Sequence, residues 1–410
     1  MKTSSLMQKM IWSVVSVIVA ACSAQQRGED TIVDVFSLTH ASAPYFTADV
    51  KGNTVLCWTG TSDSILYYTV YDRQAGAFGT PVAVTPSRGT TARGESMNKV
   101  AFRGDGTVVA VFEKKHPTER NKYAGAIFYV QSFDGGVSWT KAKFIHSDTL
   151  EDNSRSYFDV AMLPDGEVGA VWLDGRLRLG SEGSSLFFAK TKGHEGFQGD
   201  KQIGETVCQC CRTDISTDPK GNVHVIFRDI ELTAAGAVRD FVHMVSTDTG
   251  KTFTAPRVVS NDHWIVDGCP HTGASMAVSD GRLEVVWFTA GGRPGLYYSF
   301  SLDDGKTFAP RELISENARH PQIVSANGWA AIVVEESEQG NSVAVSHGGH
   351  HEPATTPSVV VWWRNKEGNL AHTVADDNGG EFPVATLVDE ETLLVGYEAR
   401  GGVVVRRIRN

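Results

Sequence analysis

Two short segments hold four of the six cysteines in this 410-residue sequence. The first is Cys208-Gln209-Cys210-Cys211, which Arg212 follows directly, and the second is Cys269-Pro270-His271. Thiolate sulfur and imidazole nitrogen are ligands that zinc and copper favour in proteins. One interpretation is therefore a metal site for zinc or copper whose ligands are Cys208, Cys210, Cys211, Cys269 and His271.

Disulfide bonds are the competing interpretation of the same cysteines. Their number is even, and the N-terminus predicts an oxidising compartment outside the cytoplasm. Cys210 and Cys211 make a poor pair, because adjacent Cα atoms lie about 3.8 Å apart and ordinary disulfides need about 4.4 Å or more. A redox role is a third interpretation. Cys57, beside Trp58 in an apolar run, is expected in the core.

A histidine-rich stretch is the third group of potential metal ligands. It reads His347-Gly348-Gly349-His350-His351-Glu352 and lies in a long insertion near the C-terminus. As a solvated loop it needs no function. If the insertion overhangs the face that carries the cysteine segments, it adds His347, His350 and His351 to the candidate metal ligands.

Three segments share the pattern Ser-x-Asp-x-Gly-x-Ser/Thr-aromatic, and they are residues 132–139, 246–253 and 301–308. In such a turn the Asp accepts backbone N–H groups, Gly adopts a positive φ, and the aromatic ring packs between sheets. We therefore expect structural roles for Asp134, Asp248 and Asp303. The pattern resembles the Asp-box of sialidases and related β-propellers. Weaker copies end at Phe78, Phe197 and Phe382.

A second series of tight turns alternates with these boxes. Each turn lies between two strand-like runs, as Asp165-Gly166 does between residues 159–163 and 167–172. The repeating unit is thus strand A, tight turn, strand B, loop, strand C, box turn and strand D, which is a propeller blade. We predict an all-β, sialidase-like propeller over residues 31–410. Six box positions favour six four-stranded blades, with a seventh left open, and an N-terminal strand at 31–40 closes the ring.

The loops that enter the innermost strands should carry the function, because they lie opposite the stereotyped box turns and around the central channel. In sialidases three Arg hold the substrate carboxylate, a Tyr paired with a Glu is the nucleophile, and an Asp is the acid/base. The family's Arg-Ile-Pro motif is absent here, so no motif assigns these roles. The candidates on these loops are Arg155, Tyr157, Arg212, Asp214 and Arg319, with Glu335 as a further partner.

Two classes of function fit these features. One is a glycan-acting or glycan-binding surface protein, such as an exo-glycosidase of sialidase type, that takes a glycan or another small acidic ligand. The other is a non-catalytic propeller whose cysteine and histidine face is a metal site or a disulfide-locked surface for a protein partner. Converging Arg, carboxylate and Tyr would favour the first class, and clustered sulfur and imidazole would favour the second.

The N-terminus predicts the address of the protein. Residues 1–21 combine two lysines with a short uncharged apolar stretch, which is typical of a signal peptide. Its end, Val19-Ala20-Ala21-Cys22, resembles the bacterial lipobox, so we expect a lipid on Cys22 and a tether over residues 22–30. Because Ser23 is not the Asp that retains lipoproteins in the inner membrane, the resemblance implies an outer-membrane lipoprotein facing the periplasm or the outside.

Charge limits the range of partners. The formal net charge is −10, and no basic run is present, which argues against nucleic acid. No segment after residue 22 has the length and apolarity of a membrane span. We therefore expect membrane contact through the lipid alone, and a monomer.

Overall fold

The computed structural model describes residues 25–26, 31–177, 182–268, 270–337 and 356–409. Five predicted site residues lie outside these ranges, as does the predicted leader over 1–21, and they are Cys22, Cys269, His347, His350 and His351. Within the described ranges, no helix is long and apolar enough to cross a membrane.

Seven antiparallel sheets form the molecule, each built on four strands that follow one another from the inside outward. The inner strand of each sheet contacts that of the next, and the seventh contacts the first, so the sheets are the blades of a closed propeller. Blade 1 consists of Ala41–Ala48, Thr54–Gly60, Leu66–Asp72 and the two short strands Ala77–Phe78 and Val82–Val84. Blade 2 consists of Lys99–Phe102, Val108–Lys115, Gly125–Ser132 and Lys143–Phe144. Blade 3 consists of Arg155–Met162, Val168–Asp174, Ser184–Thr191 and Phe197–Val207.

The remaining blades follow the same plan. Blade 4 consists of Asp214–Thr217, Val223–Arg228, Phe241–Ser246 and Arg257–Val258. Blade 5 consists of Ser275–Ser279, Arg282–Thr289, Gly295–Ser301 and Glu312–Ser315. Blade 6 consists of Ala318–Ala326, Trp329–Glu336, Ser358–Arg364 and Leu370–Asp376. A hairpin of Glu231–Thr233 and Gly236–Val238 extends from blade 4, and Gln25–Gln26 pairs in parallel with the outer strand of blade 6. Short 3-10 turns lie at Thr85–Ser87 and Gly193–Glu195.

Blade 7 closes the ring with strands from both ends of the chain. It consists of Glu381–Leu387, Thr392–Ala399 and Gly402–Arg409, and its outer strand is Thr31–Thr39, with Thr31 opposite Arg409. The N-terminal strand therefore completes the last blade, as expected. The preference for six blades is wrong, because Phe382 lies in the inner strand of blade 7 and does not end a box.

The Asp-box turns join the third and outer strands of blades 2, 4 and 5. In the turn of blade 4, Asp248 accepts hydrogen bonds from the Thr252 backbone N–H at 2.8 Å and from the Thr252 and Ser246 hydroxyls at 2.7 Å. Equivalent hydrogen bonds, of which the one from the Ser138 side chain has the largest effect, lower the pKa of Asp134 to about 2. Hydrogen bonds from Thr307 lower the pKa of Asp303 to about 2. The box aromatics pack against the preceding blade, as Phe253 does against Phe188 at 5.2 Å between ring centroids.

The hydrophobic core lies between neighbouring blades. The second strands are buried on both faces, so they are near-continuous apolar runs such as residues 331–334 in blade 6. Trp58, Trp172 and Trp287 occupy these strands in blades 1, 3 and 5 and are at most 2% exposed. Because apolar contact holds each blade to the next, the inner-strand ends keep fixed positions around the axis.

Candidate functional site at the channel mouth

Four of the seven inner strands share an unusual backbone feature where they begin. Ala43, Tyr157, His320 and Phe382 have φ values of 52°, 52°, 48° and 49°, and a bulge interrupts the pairing at each of these positions. Residues with a Cβ adopt this left-handed conformation at a cost that is often tolerated at functional sites. Strands alternate in direction, so these four residues lie on the face opposite the Asp-box turns. We call this region the channel mouth.

Residues 93–98, which precede blade 2, extend across the channel mouth, and we call them the mouth segment. Glu95 accepts hydrogen bonds from Arg212 Nη1 of blade 4 at 3.2 Å and from the Gly273 N–H before blade 5 at 2.7 Å. Gly94 lies under the Phe382 ring of blade 7, because a Cβ on Gly94 would be 1.8 Å from Phe382 Cγ. The mouth segment therefore forms the floor of any site that opens on this face.

Polar side chains of the inner strands lie deeper in the channel. Asp159 accepts hydrogen bonds from the Tyr45 hydroxyl at 3.1 Å and the Ile215 N–H at 2.9 Å, and Lys99 Nζ lies 3.3 Å from it. Asp214 accepts the Met276 N–H of the next blade at 2.9 Å. Burial, followed by the charge of Asp159, raises the pKa of Asp214 to about 7. This candidate acid/base thus joins neighbouring inner strands.

His320, Glu335 and Phe382 form a compact group at the mouth. His320 Nδ1 lies 3.0 Å from Glu335 Oε1, and its Nε2 lies 3.2 Å from the His271 carbonyl oxygen. Nδ1 thus lies at ion-pair distance from a carboxylate but without hydrogen-bond geometry, and Nε2 lies near a carbonyl acceptor. Burial is the largest influence and opposes protonation, but the charge and close contact of Glu335, together with the charge of Glu95, raise the pKa of His320. The Phe382 ring packs on His320 with centroids 4.6 Å apart, and the Phe382 N–H donates to Glu335.

A second carboxyl group belongs to the same region. Glu398 of blade 7 accepts the Ala43 N–H at 2.8 Å. Burial raises the pKa of Glu398; the Ala43 hydrogen bond opposes this rise, and the charges of Glu381 and Glu335 add to it. Glu398 therefore favours the protonated form more than an exposed Glu does, while Glu335 lies beside the His320 ring. Two carboxyl groups in unlike environments are what acid–base catalysis requires.

Two arginines supply positive charge at the mouth. Arg319 lies over the Phe288 ring at 4.9 Å, and its Nε is a buried donor without a hydrogen-bond partner. No carboxylate of the described chain lies at ion-pair distance from it, and burial lowers its pKa while Glu335 opposes that effect. Arg93 of the mouth segment is exposed, with its guanidinium 4.6 Å from the Tyr157 ring centroid. Both cations can receive an anionic ligand.

The structure does not form a three-arginine clamp from Arg155, Arg212 and Arg319. Arg155 is 1% exposed and is held by Asp148 at 2.5 Å and Asp174 at 3.4 Å. Arg212 is 6% exposed and pairs with Glu95 beneath the mouth. Of the three, Arg319 alone presents a guanidinium without an ion-pair partner in the part of the chain that the structure describes.

Tyr157 reaches the mouth but lacks the partner of a sialidase nucleophile. Burial raises its pKa well above the ordinary value, and Arg93 opposes this rise. The nearby Glu113 accepts the Ser96 hydroxyl at 2.9 Å and lies 2.5 Å from Lys115 Nζ. That carboxylate is therefore already engaged, and Tyr157 stays largely in its neutral form.

The first cysteine segment lies between blades 3 and 4, on the same face as the mouth. Cys208, Cys210 and Cys211 are buried, and the Cys208 Sγ lies 3.5 Å from each of the other two. Hydrogen bonds from these two thiols, with the charges of Arg239 and Arg228, hold the pKa of Cys208 well below its usual range. Burial raises the pKa of Cys211 to about 11.

The segment that follows Cys269 lies against the first cysteine segment. A Cβ on Gly273 would be 2.5 Å from Arg212 Cβ, and Arg228 donates a hydrogen bond to the Thr272 carbonyl at 3.3 Å. His271 is exposed, with φ 50°. Arg212 and Gly273, which follow the two cysteine segments, thus pack against each other. Because Cys269 lies outside the described residues, the predicted meeting of the two cysteine segments stays a prediction.

Sequence reasoning missed Arg93, Glu95 and Glu398. They lie on segments without a motif, and their role depends on contacts such as Glu95 with Arg212, which are 117 residues apart in the chain. The spacing of the repeat predicted the blade entries, near which the candidate residues lie. It could not show which charged side chains there lack an ion-pair partner.

Comparisons with solved structures support the fold. A polysaccharide lyase of family PL25, an ulvan lyase bound to -[GlcA(1-4)Rha3S]-, is similar with a TM-score of 0.57 at 10% identity, over 92% of this chain and 95% of that chain. A Hadza microbial sialidase, Hz136, has a TM-score of 0.50 at 12% identity, over 86% of this chain and 76% of that one. A Dyadobacter fermentans protein of unknown function has a TM-score of 0.50 at 16% identity, over 77% and 94%.

These similarities agree with the class of the fold, a seven-bladed β-propeller. At such low identity they show the fold and not the activity. No family model matches the sequence, and no curated protein matches it.

Proposed function

We propose that this propeller binds and cleaves an acidic glycan at the channel mouth. The observation that carries the proposal is Arg319, a largely buried guanidinium without an ion-pair partner among the described residues, directly beside the His320–Glu335 pair. A buried charge without a partner is costly unless a ligand neutralises it. Carboxylate and sulfate groups of acidic sugars match the planar donors of Arg.

The chemistry at the mouth suits cleavage of a glycosidic bond. Such cleavage needs one group that donates a proton to the leaving oxygen. It needs a second group that accepts a proton from the attacking water or from the sugar. We assign the donor role to Glu398, whose pKa is raised, and the second role to Glu335. His320 orients Glu335, and the half-buried Phe382 ring offers an apolar surface for a sugar ring.

The structural neighbours support the choice of ligand class. One of them, the ulvan lyase, is bound to a glycan that contains GlcA and sulfated Rha. Another is a sialidase. Release of sialic acid is one activity to test. The raised pKa of Tyr157 makes it a poor nucleophile, and Arg155 is paired with Asp148 and Asp174. Both features favour a reaction that uses the carboxyl groups instead.

A panel of soluble acidic glycans tests the proposal. It should include sialylated, uronic-acid and sulfated oligosaccharides, with release of reducing ends and of unsaturated products measured separately. We expect activity on at least one acidic member, loss of turnover in Glu335→Gln and Glu398→Gln, and unchanged turnover in Glu312→Gln, whose carboxylate lies in the outer strand of blade 5 and pairs with Arg364.

The outcome that overturns the proposal is specific. Neither binding nor turnover of any acidic glycan by the folded wild-type protein would exclude the assigned ligand class. Turnover that survives Glu335→Gln and Glu398→Gln unchanged would exclude the assigned residues while leaving the ligand class in place.

We further propose that Cys22 anchors the chain in the outer membrane through a lipid, on the sequence evidence of residues 19–22. Metabolic labelling with a fatty acid, followed by membrane fractionation, tests this. Label that persists in Cys22→Ser would contradict it.

A further inference from the structure

Three sulfur atoms converge in the loop between blades 3 and 4. Cys208 Sγ lies 3.5 Å from Cys210 Sγ and from Cys211 Sγ, and the three sulfurs all lie within 4.8 Å of one another. These separations exceed the length of a disulfide bond, about 2.05 Å. They match the roughly 3.8 Å that separates sulfurs around a tetrahedral ion with metal–sulfur bonds of about 2.3 Å.

Buried positive charge surrounds these sulfurs. Arg239 Nη1 donates a hydrogen bond to Cys208 Sγ at 3.3 Å, and Arg239 Nη2 forms an ion pair with Glu182. Arg228 is 2% exposed and bonds to the carbonyls of Arg239, Thr272 and Phe288. No carboxylate in the described ranges lies at ion-pair distance from Arg228. Two buried cations thus have one carboxylate between them, and thiolates supply the missing negative charge.

The backbone holds the three cysteines in place. The Cys208 N–H donates to the Arg228 carbonyl at 2.8 Å, and the Thr213 hydroxyl donates to the Tyr157 carbonyl at 2.9 Å. Both ends of the loop are therefore fixed to neighbouring blades, one before the first sulfur and one after the last. Ligands held on rigid elements need little rearrangement to bind a metal.

We propose that Cys208, Cys210 and Cys211 bind one thiophilic d10 ion, Zn²⁺ or Cu⁺, as thiolates. Arg239 orients the Cys208 sulfur and, with Arg228, balances the negative charge of the metal–thiolate group. Binding releases the remaining thiol protons to solvent and changes no oxidation state. This site is separate from the carboxyl groups of the proposed glycan site, so either proposal can fail without the other.

Disulfide formation is the alternative that the test must separate. A bond between Cys210 and Cys211 strains the peptide that joins them. In mass terms each disulfide removes two hydrogens from the chain, whereas a bound metal replaces thiol protons and leaves the cysteines reactive after it is removed.

The experiment uses the full chain purified without chelator and with a non-thiol reductant. Metal content is measured in the purified protein, and the metal-free protein is titrated with Zn²⁺, with Cu⁺ and with Co²⁺ as an absorbance probe. We expect one ion per chain and a sulfur-to-cobalt charge-transfer band. Which of the two native ions is present at purification identifies the metal.

Serine variants locate the site. We expect Cys208→Ser and Cys211→Ser to weaken binding at least tenfold and to reduce the cobalt band, while Cys57→Ser, at an equally buried cysteine in blade 1, keeps both. Cobalt bands that persist unchanged in both cluster variants would overturn the proposal. The proposal would also be overturned if the wild-type protein bound no ion, or if its mass showed disulfide bonds in the presence of the reductant. These wild-type measurements are decisive even if a variant does not fold.

Discussion

The Arg212 guanidinium of blade 4 lies 3.2 Å from the Glu95 carboxylate of blade 2, and both side chains are 6% exposed. The same carboxylate accepts the Gly273 N–H from the entry to blade 5 at 2.7 Å. One buried carboxylate thus joins three blades across the axis. It holds the mouth segment in place, and Gly94 of that segment contacts the Phe382 ring that packs on His320, so the position of the candidate site depends on this ion pair.

Replacing Glu95 tests this arrangement. Glu95→Ala leaves the Arg212 charge buried without its partner, and we expect the free energy of unfolding to fall by about 3 kcal/mol, as for other broken buried pairs. Urea unfolding measures it. The control is Asp304→Asn, which removes the exposed pair with Lys220 and should change stability by less than about 1 kcal/mol. Equal effects of the two substitutions would contradict the role given to Glu95.

The contact between Gly94 and Phe382 gives a second prediction. Gly94→Ala places a methyl group within the space of the Phe382 ring, so either the mouth segment or the ring must move. We expect a loss of about 1–3 kcal/mol, typical of overpacking. The double variant Gly94→Ala/Phe382→Ala removes the clash, and its loss should be smaller than the sum of the two single losses. Additive losses would show that the two residues do not touch.

The pH dependence of the His320–Glu335 pair is the third prediction. The folded pKa of His320 is raised, so the pair contributes fully below the unfolded value of about 6.5 and its contribution disappears as pH rises through the folded pKa. NMR titration of the histidine ring protons measures that pKa. We expect a value above 6.5 in the wild type and a lower one in Glu335→Gln. A titration unaffected by Glu335→Gln would contradict the ion pair.

Asp214 gives the fourth prediction, with the same direction but a different cause. Its folded pKa of about 7 lies above the unfolded value of about 3.9, so the folded state binds the extra proton and stability falls as pH rises between these values. Asp214→Asn cannot ionise and should flatten this part of the stability profile, measured by thermal unfolding from pH 4 to 7. The profile should keep its slope in Asp304→Asn. A profile unchanged by Asp214→Asn would contradict the assignment.

The repeat was readable in the sequence because turn chemistry is local. Asp248, Gly250 and Thr252 determine their turn within a few residues. Such turns at regular spacing predict blades, and they also predict on which face of the blades the turns lie. The blade count could not be predicted in this way. Blades 6 and 7 carry no box, and blade 7 takes its outer strand from the other end of the chain.

The sequence predicted the face on which we propose the site, but not the arrangement of its residues. Arg155 has the position of a clamp residue, yet Asp148 and Asp174 hold it inside blade 3. Arg93 and Glu95 have ordinary sequence surroundings, and their importance comes from the crossing of the mouth segment over the channel. Contacts between distant blades depend on the whole ring, so no local pattern encodes them.

Calorimetric titration with the most active acidic glycan of the panel measures the part that Arg319 plays in binding. We expect Arg319→Ala to weaken the affinity at least tenfold, about 1.4 kcal/mol, while Arg257→Ala, at an exposed arginine in the outer strand of blade 4, leaves it unchanged. Equal affinity of the wild type and Arg319→Ala would contradict the claim that the channel mouth holds the acidic group of the ligand.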